Sequence, residues 1–289
     1  MGLKIQTIKD IRFYLTTELA ESYPEEEIRS LSNIVISSVL GITGMQHLFL
    51  TERSVNEKQA SEILSICLEL KSGKPIQYIL GETVFYDCII KLNSATLIPR
   101  PETEELVDLI IRENRGYTGS IIDFGTGSGC IAIALALNLP DAAVTGTDIS
   151  DEALKAAVAN AKMNNADVKF VKNDILNQDT DSLEKAGILV SNPPYVRISE
   201  KQLMHRNVLG FEPHSALFVE DSDPLIYYDA VLKKAARLLC TPGKIYFEIN
   251  EALGKSMVSL AQSYGLSGIE LIKDINGKDR IMKGIRHAG

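Results

Sequence analysis

The feature that most constrains the fold of this chain is a regular alternation of strand-like and helix-like segments after Pro99. Short apolar runs are followed by longer stretches with helical periodicity, and the connections between them are short. The predicted strands are 120–124, 143–147, 168–171, 187–191 and 244–249, and the predicted helices lie near 129–138, 150–163 and 223–240. This alternation predicts an α/β fold, in which helices cover both faces of a mostly parallel sheet.

A β-hairpin is predicted after the last of these strands. Ile269–Lys273 and Arg280–Lys283 are strand-like, and Asn276-Gly277 between them is typical of a tight turn. We expect this antiparallel hairpin to close one edge of the sheet.

Residues 1–80 are predicted to form a small helical bundle. Apolar residues recur at steps of three or four in the first segment, and they define one helical face: Ile5, Ile8, Ile11, Leu15 and Leu19. Pro24, followed by three glutamates, predicts the start of a second helix, because the positive end of a helix dipole favours acidic residues. Ser54-Val55-Asn56-Glu57 has the pattern of a capping box and predicts the start of a third helix.

Residues 81–98 differ in character from the segments on either side. Two short strand-like runs, Thr83–Tyr86 and Cys88–Ile90, predict a β-hairpin that joins two domains. The predicted organisation is therefore a helical domain at 1–80, a hairpin linker at 81–98 and an α/β domain at 99–289.

Composition limits the classes of function. The chain has 30 Lys and Arg against 38 Asp and Glu, a net charge of −8, so no direct nucleic-acid partner is expected. No apolar run reaches the ~18 residues of a membrane span, and no secretory signal opens the sequence. The four cysteines are far apart, which indicates reduced thiols and no metal site. We expect a cytoplasmic protein with no membrane association, and we predict a monomer.

A glycine-rich loop follows the first predicted strand of the α/β domain. Ser120–Phe124 runs directly into Gly125-Thr126-Gly127-Ser128-Gly129, and an Ala- and Leu-rich helix follows. Glycines allow a tight turn and a close approach of a ligand to the backbone. Cys130 stands where a dinucleotide fingerprint would place its third glycine, so the loop does not favour pyrophosphate binding.

Acidic residues follow the next two predicted strands. Asp148 lies 23 residues after Gly125, where a carboxylate can accept both hydroxyls of a ribose. Asn173-Asp174 ends the third strand, where an amide or a carboxylate can contact an adenine edge. A structural turn or a helix cap would explain either feature alone, but together they predict a nucleoside site.

The strand at 187–191 runs directly into Asn192-Pro193-Pro194-Tyr195. Ligands of open α/β sheets bind at the carboxyl ends of the strands, so this tetrapeptide is predicted to face the cleft. The Asn192 carboxamide and the Pro193 carbonyl can each accept a hydrogen from a planar NH2 group, and the prolines hold the loop rigid. Tyr195 can stack on a planar target or lie near a sulfonium ion. This arrangement predicts methylation of an amide or amino nitrogen, largely through positioning of the two reactants.

At these residues the chain resembles the class I S-adenosylmethionine-dependent methyltransferases. Within them it is similar to the protein-(glutamine-N5) methyltransferases that modify peptide chain release factors. The resemblance spans nearly the whole chain and includes Ile98–Glu104 and Phe211–Leu217 as well as the two loops. It implies a Rossmann-like methyltransferase domain preceded by the helical domain and the hairpin linker.

The resemblance also implies roles for individual residues. S-adenosylmethionine would be bound by Gly125, Thr126, Gly127, Ser128, Gly129, Asp148, Asp174, Ile175 and Asn192. This family often has an aromatic residue over the adenine after the second acidic position, whereas Ile175 would supply only apolar packing. Asn192, Pro193, Pro194 and Tyr195 would grip the glutamine of the Gly-Gly-Gln motif in class 1 release factors, with Asn192, Pro193 and Tyr195 as catalytic residues. The helical domain would contact the release factor.

Three alternatives stay open at this point. An adenine-N6 nucleic-acid methyltransferase also methylates an NH2 on a planar group, and the acidic composition counts against it. A glutamine methyltransferase of a ribosomal protein would use the same pocket. A regulatory module that binds the cofactor without catalysis would not need acceptors for an N–H group.

The Arg100–Glu104 and Phe211–Pro213 segments can line the site or can be purely structural.

Overall fold

The described residues, 4–42, 46, 49–177 and 179–287, divide into two units in the computed structural model. The smaller unit is Met1–Gly81 with His205–Phe211, and the larger is Glu82–Met204 with Glu212–Gly289. The hairpin predicted as a linker therefore belongs to the larger unit. The sequence did not predict that His205–Phe211 belongs to the smaller unit.

The helices and strands have the following bounds. The helices are α1 Ile8–Leu19, α2 Glu25–Leu40, α3 Glu57–Lys71, α4 Ile76–Leu80, α5 Pro101–Glu113, α6 Cys130–Asn138, α7 Asp151–Met163, α8 Arg206–Phe211, α9 Ile226–Leu238 and α10 Gly254–Ser263. The strands are β1 Glu82–Phe85, β2 Cys88–Lys91, β3 Ser120–Phe124, β4 Ala143–Asp148, β5 Val168–Lys172, β6 Ala186–Ser191, β7 Val196–Arg197, β8 Phe218–Val219, β9 Leu239–Glu248, β10 Ser267–Lys273 and β11 Asp279–Arg286.

The smaller unit is helical, and the predicted apolar stripe forms its core. All five stripe residues are buried against apolar residues of α2 and α3. Helix α2 begins after Pro24 with three glutamates in its first turn and ends at Gly41, which has φ +61°. The predicted capping box at Ser54 was wrong by two residues. Asn56 is the N-cap of α3 and pairs with Gln59, while Ser54 forms a β-bridge with Thr7.

A seven-stranded sheet with the order β10-β11-β9-β6-β3-β4-β5 forms the centre of the larger unit. Strands β9, β6, β3, β4 and β5 run parallel, whereas β10 and β11 form an antiparallel hairpin at one edge. These findings confirm the predicted mostly parallel sheet and its closing hairpin. The sequence did not predict helix α10 or the small parallel pair of β7 and β8.

The hairpin of β1 and β2 is bound along its outer edge by two asparagines of α7. The Asn164 side chain accepts from the Ile89 N–H at 3.1 Å and donates to the Ile89 carbonyl at 2.8 Å. The Asn160 side chain does the same for Lys91, at 2.9 and 3.0 Å. The asparagines are four residues apart on one helical face, and their targets are two residues apart on one strand edge. Side-chain amides thus take the place of a neighbouring strand.

No helix in the described part of the chain is both long enough and apolar enough to cross a membrane. Buried apolar residues instead pack α9 and α10 against the sheet of the larger unit.

Candidate active site

The glycine-rich loop and the Asn-Pro-Pro-Tyr segment follow neighbouring strands at the same edge of the sheet. Strands β3 and β6 are parallel partners, with Phe124 opposite Ser191. The Ser191 hydroxyl donates to the Phe124 carbonyl at 2.7 Å and ties the two strand ends together. Gly125 and Asn192 therefore directly follow paired residues of two adjacent strands.

The loop from Gly125 to Gly129 makes its turn with left-handed backbone at every second residue. Gly125, Gly127 and Gly129 have φ values of +73°, +55° and +83°, which residues with a side chain rarely adopt. A Cβ atom at Gly127 would meet no atom within 4 Å, so packing within the protein does not demand a glycine there. The loop thus presents backbone to open space at the point where a ligand can approach.

Asp148 at the end of β4 is joined to this loop. Its Oδ2 accepts from the Gly127 N–H at 2.9 Å, and its Oδ1 accepts from the Ser150 N–H at 2.9 Å. Each carboxylate oxygen therefore uses one lone pair to fix the side chain and keeps another for a ligand hydroxyl. This geometry suits the two hydroxyls of a ribose.

Asp123, the residue before Phe124 in β3, supports the loop from within. Its side chain is completely buried, and its Oδ2 accepts from the Thr126 hydroxyl at 2.6 Å. Burial raises the pKa of Asp123 and the nearby charge of Asp148 adds to this effect, whereas the Thr126 hydrogen bond lowers it, and the net result is a pKa of about 7. Asp123 therefore holds the loop at some electrostatic cost.

The residues predicted to contact adenine lie at the end of β5, next to Asp148. The Asn173 N–H donates to the Asp148 carbonyl at 3.0 Å, and Asp174 accepts from the Leu176 N–H at 2.9 Å. Ile175 is buried in the core, and its Cδ1 would lie 3.4 Å from a Cβ at Gly125. Among the described residues, the buried Oδ1 of Asn173 has no hydrogen-bond partner, which leaves an acceptor for a ligand amino group.

The loop after β5 is fixed by a buried lysine that the sequence did not single out. Lys234 of α9 is only 1% exposed. Its Nζ donates to the Asn177 carbonyl and, at 2.9 Å, to the Asp179 carbonyl. Burial lowers the pKa of Lys234, and the charges of Asp174 and Asp179 partly offset this effect. The ammonium group thereby anchors the segment that carries Asp174 and Ile175.

The Asn192–Tyr195 segment is held by side chains from α5 and β9. The Asn192 Nδ2 donates to the Thr103 hydroxyl at 3.2 Å, and that hydroxyl donates to Glu248 Oε2 at 2.7 Å. The Tyr195 hydroxyl donates to Glu248 Oε1 at 2.9 Å. Pro193 is buried in the segment, and Pro194 is half-buried.

The Tyr195 side chain points into the protein, so only part of its ring is exposed for the predicted stacking on a planar target. The ring is half-buried against the core, and its hydroxyl lies deep beside Glu248, with Arg280 at 3.5 Å. Burial, together with the charge of Glu248, raises the pKa of Tyr195 well above its ordinary value, so the hydroxyl stays protonated. Stacking on the target would use the exposed part of the ring.

The two segments whose roles were left open meet each other. Arg100 at the start of α5 forms a 2.5 Å ion pair with Glu212, which is 4% exposed. The other Glu212 oxygen accepts from the Ile98 N–H at 3.3 Å. Arg100 and Glu212 therefore have a structural function as partners, which sequence patterns could not reveal across 112 residues.

Glu248, which was not singled out from the sequence, and Thr103, which lies in the Arg100–Glu104 segment whose role was left open, both support the Asn192–Tyr195 segment. Glu248 had a readable signal, because it is an acidic residue that ends an apolar strand, as Asp148 does. Thr103 had no individual signal within its segment, since it lies in a helical first turn whose glutamates account for the pattern.

The fold and this edge of the sheet define a class I S-adenosylmethionine-dependent methyltransferase. Residues 103–209 match the family model described as the methyltransferase small domain, and residues 11–81 match the PrmC N-terminal domain. A solved methyltransferase from Pyrococcus furiosus shares the fold, with a TM-score of 0.53 at 16% identity over 81% of this chain and 100% of that one.

Curated relatives narrow the class to one family. A release factor glutamine methyltransferase from Flavobacterium psychrophilum is 45% identical over 96% of this chain and 98% of its own length. A second, from Bacteroides thetaiotaomicron, is 41% identical over 96% of this chain and 99% of its own length. The chain belongs to the release factor glutamine methyltransferase family.

Proposed function

We propose that this chain transfers a methyl group from S-adenosylmethionine to the side-chain amide nitrogen, N5, of the glutamine in the Gly-Gly-Gln motif of class 1 peptide chain release factors. The observation that carries the proposal is the adjacency of Asn192 and the glycine loop on strands β6 and β3. One loop is suited to a nucleoside, and the next presents acceptors for an NH2 group. The names of the relatives support a release factor as the methyl acceptor.

The residues at the strand ends fit the cofactor. Gly127 faces open space, Asp148 keeps free lone pairs on both oxygens, and Asn173 offers a buried acceptor. In this proposal Gly125–Gly129 and Asp148 hold the amino acid and ribose portions, while Asp174 and Ile175 flank the adenine. When bound, S-adenosylmethionine supplies an electrophilic methyl group on a sulfonium sulfur.

The chain's own residues orient the acceptor. An amide nitrogen is a poor nucleophile because its lone pair is delocalised into the carbonyl. Asn192 Oδ1 and the Pro193 carbonyl accept its two hydrogens and aim the nitrogen at the methyl carbon. The nitrogen becomes acidic only as its bond to the methyl carbon forms and the carbon–sulfur bond breaks, with that electron pair going to sulfur. One N–H proton is then released to solvent, so a pre-ionised general base is unnecessary. Positioning of this kind lowers the barrier by up to ~7–11 kcal/mol in favourable cases.

The setting of the reaction follows from the same proposal. The partner is a protein, and the net charge of −8 argues against direct nucleic-acid binding. We infer that the enzyme works as a monomer in the cytoplasm and that the smaller unit recognises the release factor. The match of residues 11–81 to the PrmC N-terminal domain is consistent with a role of this unit in the same reaction.

The substrate assignment is tested with labelled S-adenosylmethionine and three separate acceptors: a class 1 release factor, ribosomal protein and DNA. We expect label on the glutamine of the Gly-Gly-Gln motif, located by mass spectrometry. Label on ribosomal protein alone or on DNA alone would show that the proposed acceptor is wrong, whereas the assignment as a methyltransferase would stand.

The role of Asn192 is tested by Asn192→Ala. This change removes a contact to the acceptor nitrogen, so kcat should fall ~100-fold or more, whereas the Kd for S-adenosylmethionine, measured by calorimetry, should change about threefold at most. Gln202→Ala, which removes an exposed side-chain amide, serves as the control and should leave both values unchanged. Undiminished kcat in Asn192→Ala would contradict the mechanism.

A further inference from the structure

Four side chains form one directed series of hydrogen bonds behind the reacting loop. Asn192 Nδ2 donates to Thr103 Oγ1, Thr103 Oγ1 donates to Glu248 Oε2, and Tyr195 donates to Glu248 Oε1. The donors come from α5 and from the segment after β6, and the terminal acceptor ends β9. The series therefore joins three elements at the end of the sheet where the acceptor nitrogen is expected.

Burial protects this series from exchange with water. Thr103 is 2% exposed and Glu248 is 1% exposed. Without water as an alternative partner, the Thr103 hydroxyl and the Glu248 carboxylate must be satisfied by protein neighbours. The direction of each hydrogen bond is therefore fixed by the chemistry of the groups.

The carboxylate sets that direction. Glu248 receives one O–H donor on each oxygen, which is the arrangement expected of an ionised carboxylate, a group that only accepts. Burial is the largest effect and keeps the pKa of Glu248 above its ordinary value, although the hydrogen bonds from Thr103 and Tyr195 and the charge of Arg280 lower it. The charged form is therefore inferred from the two O–H donors, one on each carboxylate oxygen, and not from this shift.

The direction then passes to the asparagine. A threonine hydroxyl has one hydrogen, and at Thr103 that hydrogen is given to Glu248. Only lone pairs of Thr103 Oγ1 remain toward Asn192, so the carboxamide must turn its NH2 to Thr103. The opposite rotamer would place Asn192 Oδ1 about 3 Å from Thr103 Oγ1 with no hydrogen between the two oxygens. It would also turn the Asn192 NH2 group toward the NH2 group that is to be methylated.

We propose that Thr103 and Glu248 are positioning residues that fix the orientation of the Asn192 carboxamide, so that its oxygen faces the nitrogen to be methylated. This inference deepens the proposed function and rests on the proposal that Asn192 accepts from that nitrogen. Thr103 and Glu248 need not touch substrate or cofactor. They act by excluding the unproductive rotamer of Asn192.

The test compares two substitutions at Thr103. Thr103→Val keeps the shape and removes the hydroxyl, so Asn192 loses its directing partner. We expect kcat to fall 10- to 100-fold, while the Kd for S-adenosylmethionine and the KM for the acceptor stay within about twofold. Thr103→Ser keeps the hydroxyl, and it should retain at least half of the wild-type kcat. A purely structural role in packing would give the opposite ranking, because valine fills the space better than serine.

Glu248→Gln provides an independent arm. Glutamine has nearly the same size, but its amide can donate to Thr103 and so permits both rotamers of Asn192. We expect a loss of kcat like that of Thr103→Val, again with little change in cofactor affinity. Urea unfolding of each variant identifies any that do not fold. If either Thr103→Val or Glu248→Gln fails to fold, the kcat of the other variant tests the positioning role.

The outcomes separate this inference from the function on which it rests. All variants are assayed with whichever acceptor the wild-type enzyme methylates, so a wrong acceptor class is detected with wild type alone. Wild-type kcat in Thr103→Val or in Glu248→Gln would overturn the positioning role. Equal loss in Thr103→Ser and Thr103→Val would overturn it as well.

Discussion

Asp123 is a carboxyl group that the protein buries completely beside its glycine loop. Its hydrogen bond to Thr126 fixes the residue between Gly125 and Gly127, so the side chain shapes the loop without being exposed at the site. Burial places the pKa of Asp123 at about 7, against 3.8 for an ordinary aspartate. The folded protein therefore holds a proton that the unfolded chain releases between these two pH values.

This difference predicts a pH-dependent effect of Asp123→Asn. Because the folded state binds more protons than the unfolded state between about pH 4 and 7, the contribution of Asp123 to stability falls as pH rises through that range. The asparagine variant lacks this titration. Its free energy of unfolding relative to wild type should therefore increase with pH, by at most ~1.4 kcal/mol per pH unit.

Urea unfolding of both proteins at pH 4.5, 6 and 8 measures this difference. Taking the difference between variant and wild type removes the contributions of other titrating groups. If the free energies of unfolding of the two proteins changed with pH in parallel, Asp123 would not have the raised pKa on which this prediction rests.

At the scale of elements, helix α9 and the loop after β5 depend on one lysine. Lys234 is an unusual residue for a helical position facing the core, because burial of an ammonium group is costly unless its hydrogen bonds are made. Here it donates to two carbonyls of the loop, and Asn173 Nδ2 donates to the same Asp179 carbonyl at 3.2 Å. The loop is thus shaped by its contacts with α9 and with the end of β5.

Lys234→Met should weaken cofactor binding. Methionine fills much of the same space but leaves two carbonyls without their donor, and the segment carrying Asp174 and Ile175 loses its anchor. We expect the Kd for S-adenosylmethionine to rise about tenfold, with kcat at saturating cofactor reduced less than twofold.

The neighbouring Lys233 offers a matched control for this experiment. Lys233 is about half-exposed and pairs with Asp229, so Lys233→Met should leave the Kd unchanged. Calorimetric titration of the three proteins gives the comparison. Equal affinity of Lys234→Met and wild type would show that Lys234 does not support the cofactor site.

At the scale of the whole molecule, cofactor binding and substrate recognition are assigned to different units. The residues proposed to bind S-adenosylmethionine all belong to the unit that contains the sheet. The smaller unit has its own core, which includes the completely buried Leu15. Its proposed function is recognition of the release factor.

Leu15→Ala tests this division of functions. A large-to-small change at a fully buried leucine costs about 2–5 kcal/mol of stability, and the cost falls on the smaller unit. We expect kcat/KM for the release factor to fall at least fivefold, while the Kd for S-adenosylmethionine is unchanged. Thr16→Ala, at an exposed position of the same helix, is the control. A matching loss of cofactor affinity would argue against separate functions.

The sequence predicted the parts of this molecule that depend on local patterns. Strand ends place Gly125, Asp148 and Asn192 at one edge because parallel strands share a direction, and that rule needs no tertiary detail. The link from Thr103 to Glu248 spans 145 residues, so periodicity could not reveal it. Helix α10 begins at a glycine and contains three serines, which weaken its helical signal.

The asparagine pair on α7 has a consequence for the behaviour of the protein at high concentration. A free strand edge can pair with another chain and begin an intermolecular sheet, which leads to aggregation. Asn160 and Asn164 occupy the backbone groups of Ile89 and Lys91, so a second molecule finds that edge already hydrogen-bonded. Asn160 also donates to the carbonyl of Ser128 at 2.9 Å. One side chain thereby protects the hairpin from edge-to-edge association and secures the loop proposed to receive the methyl donor.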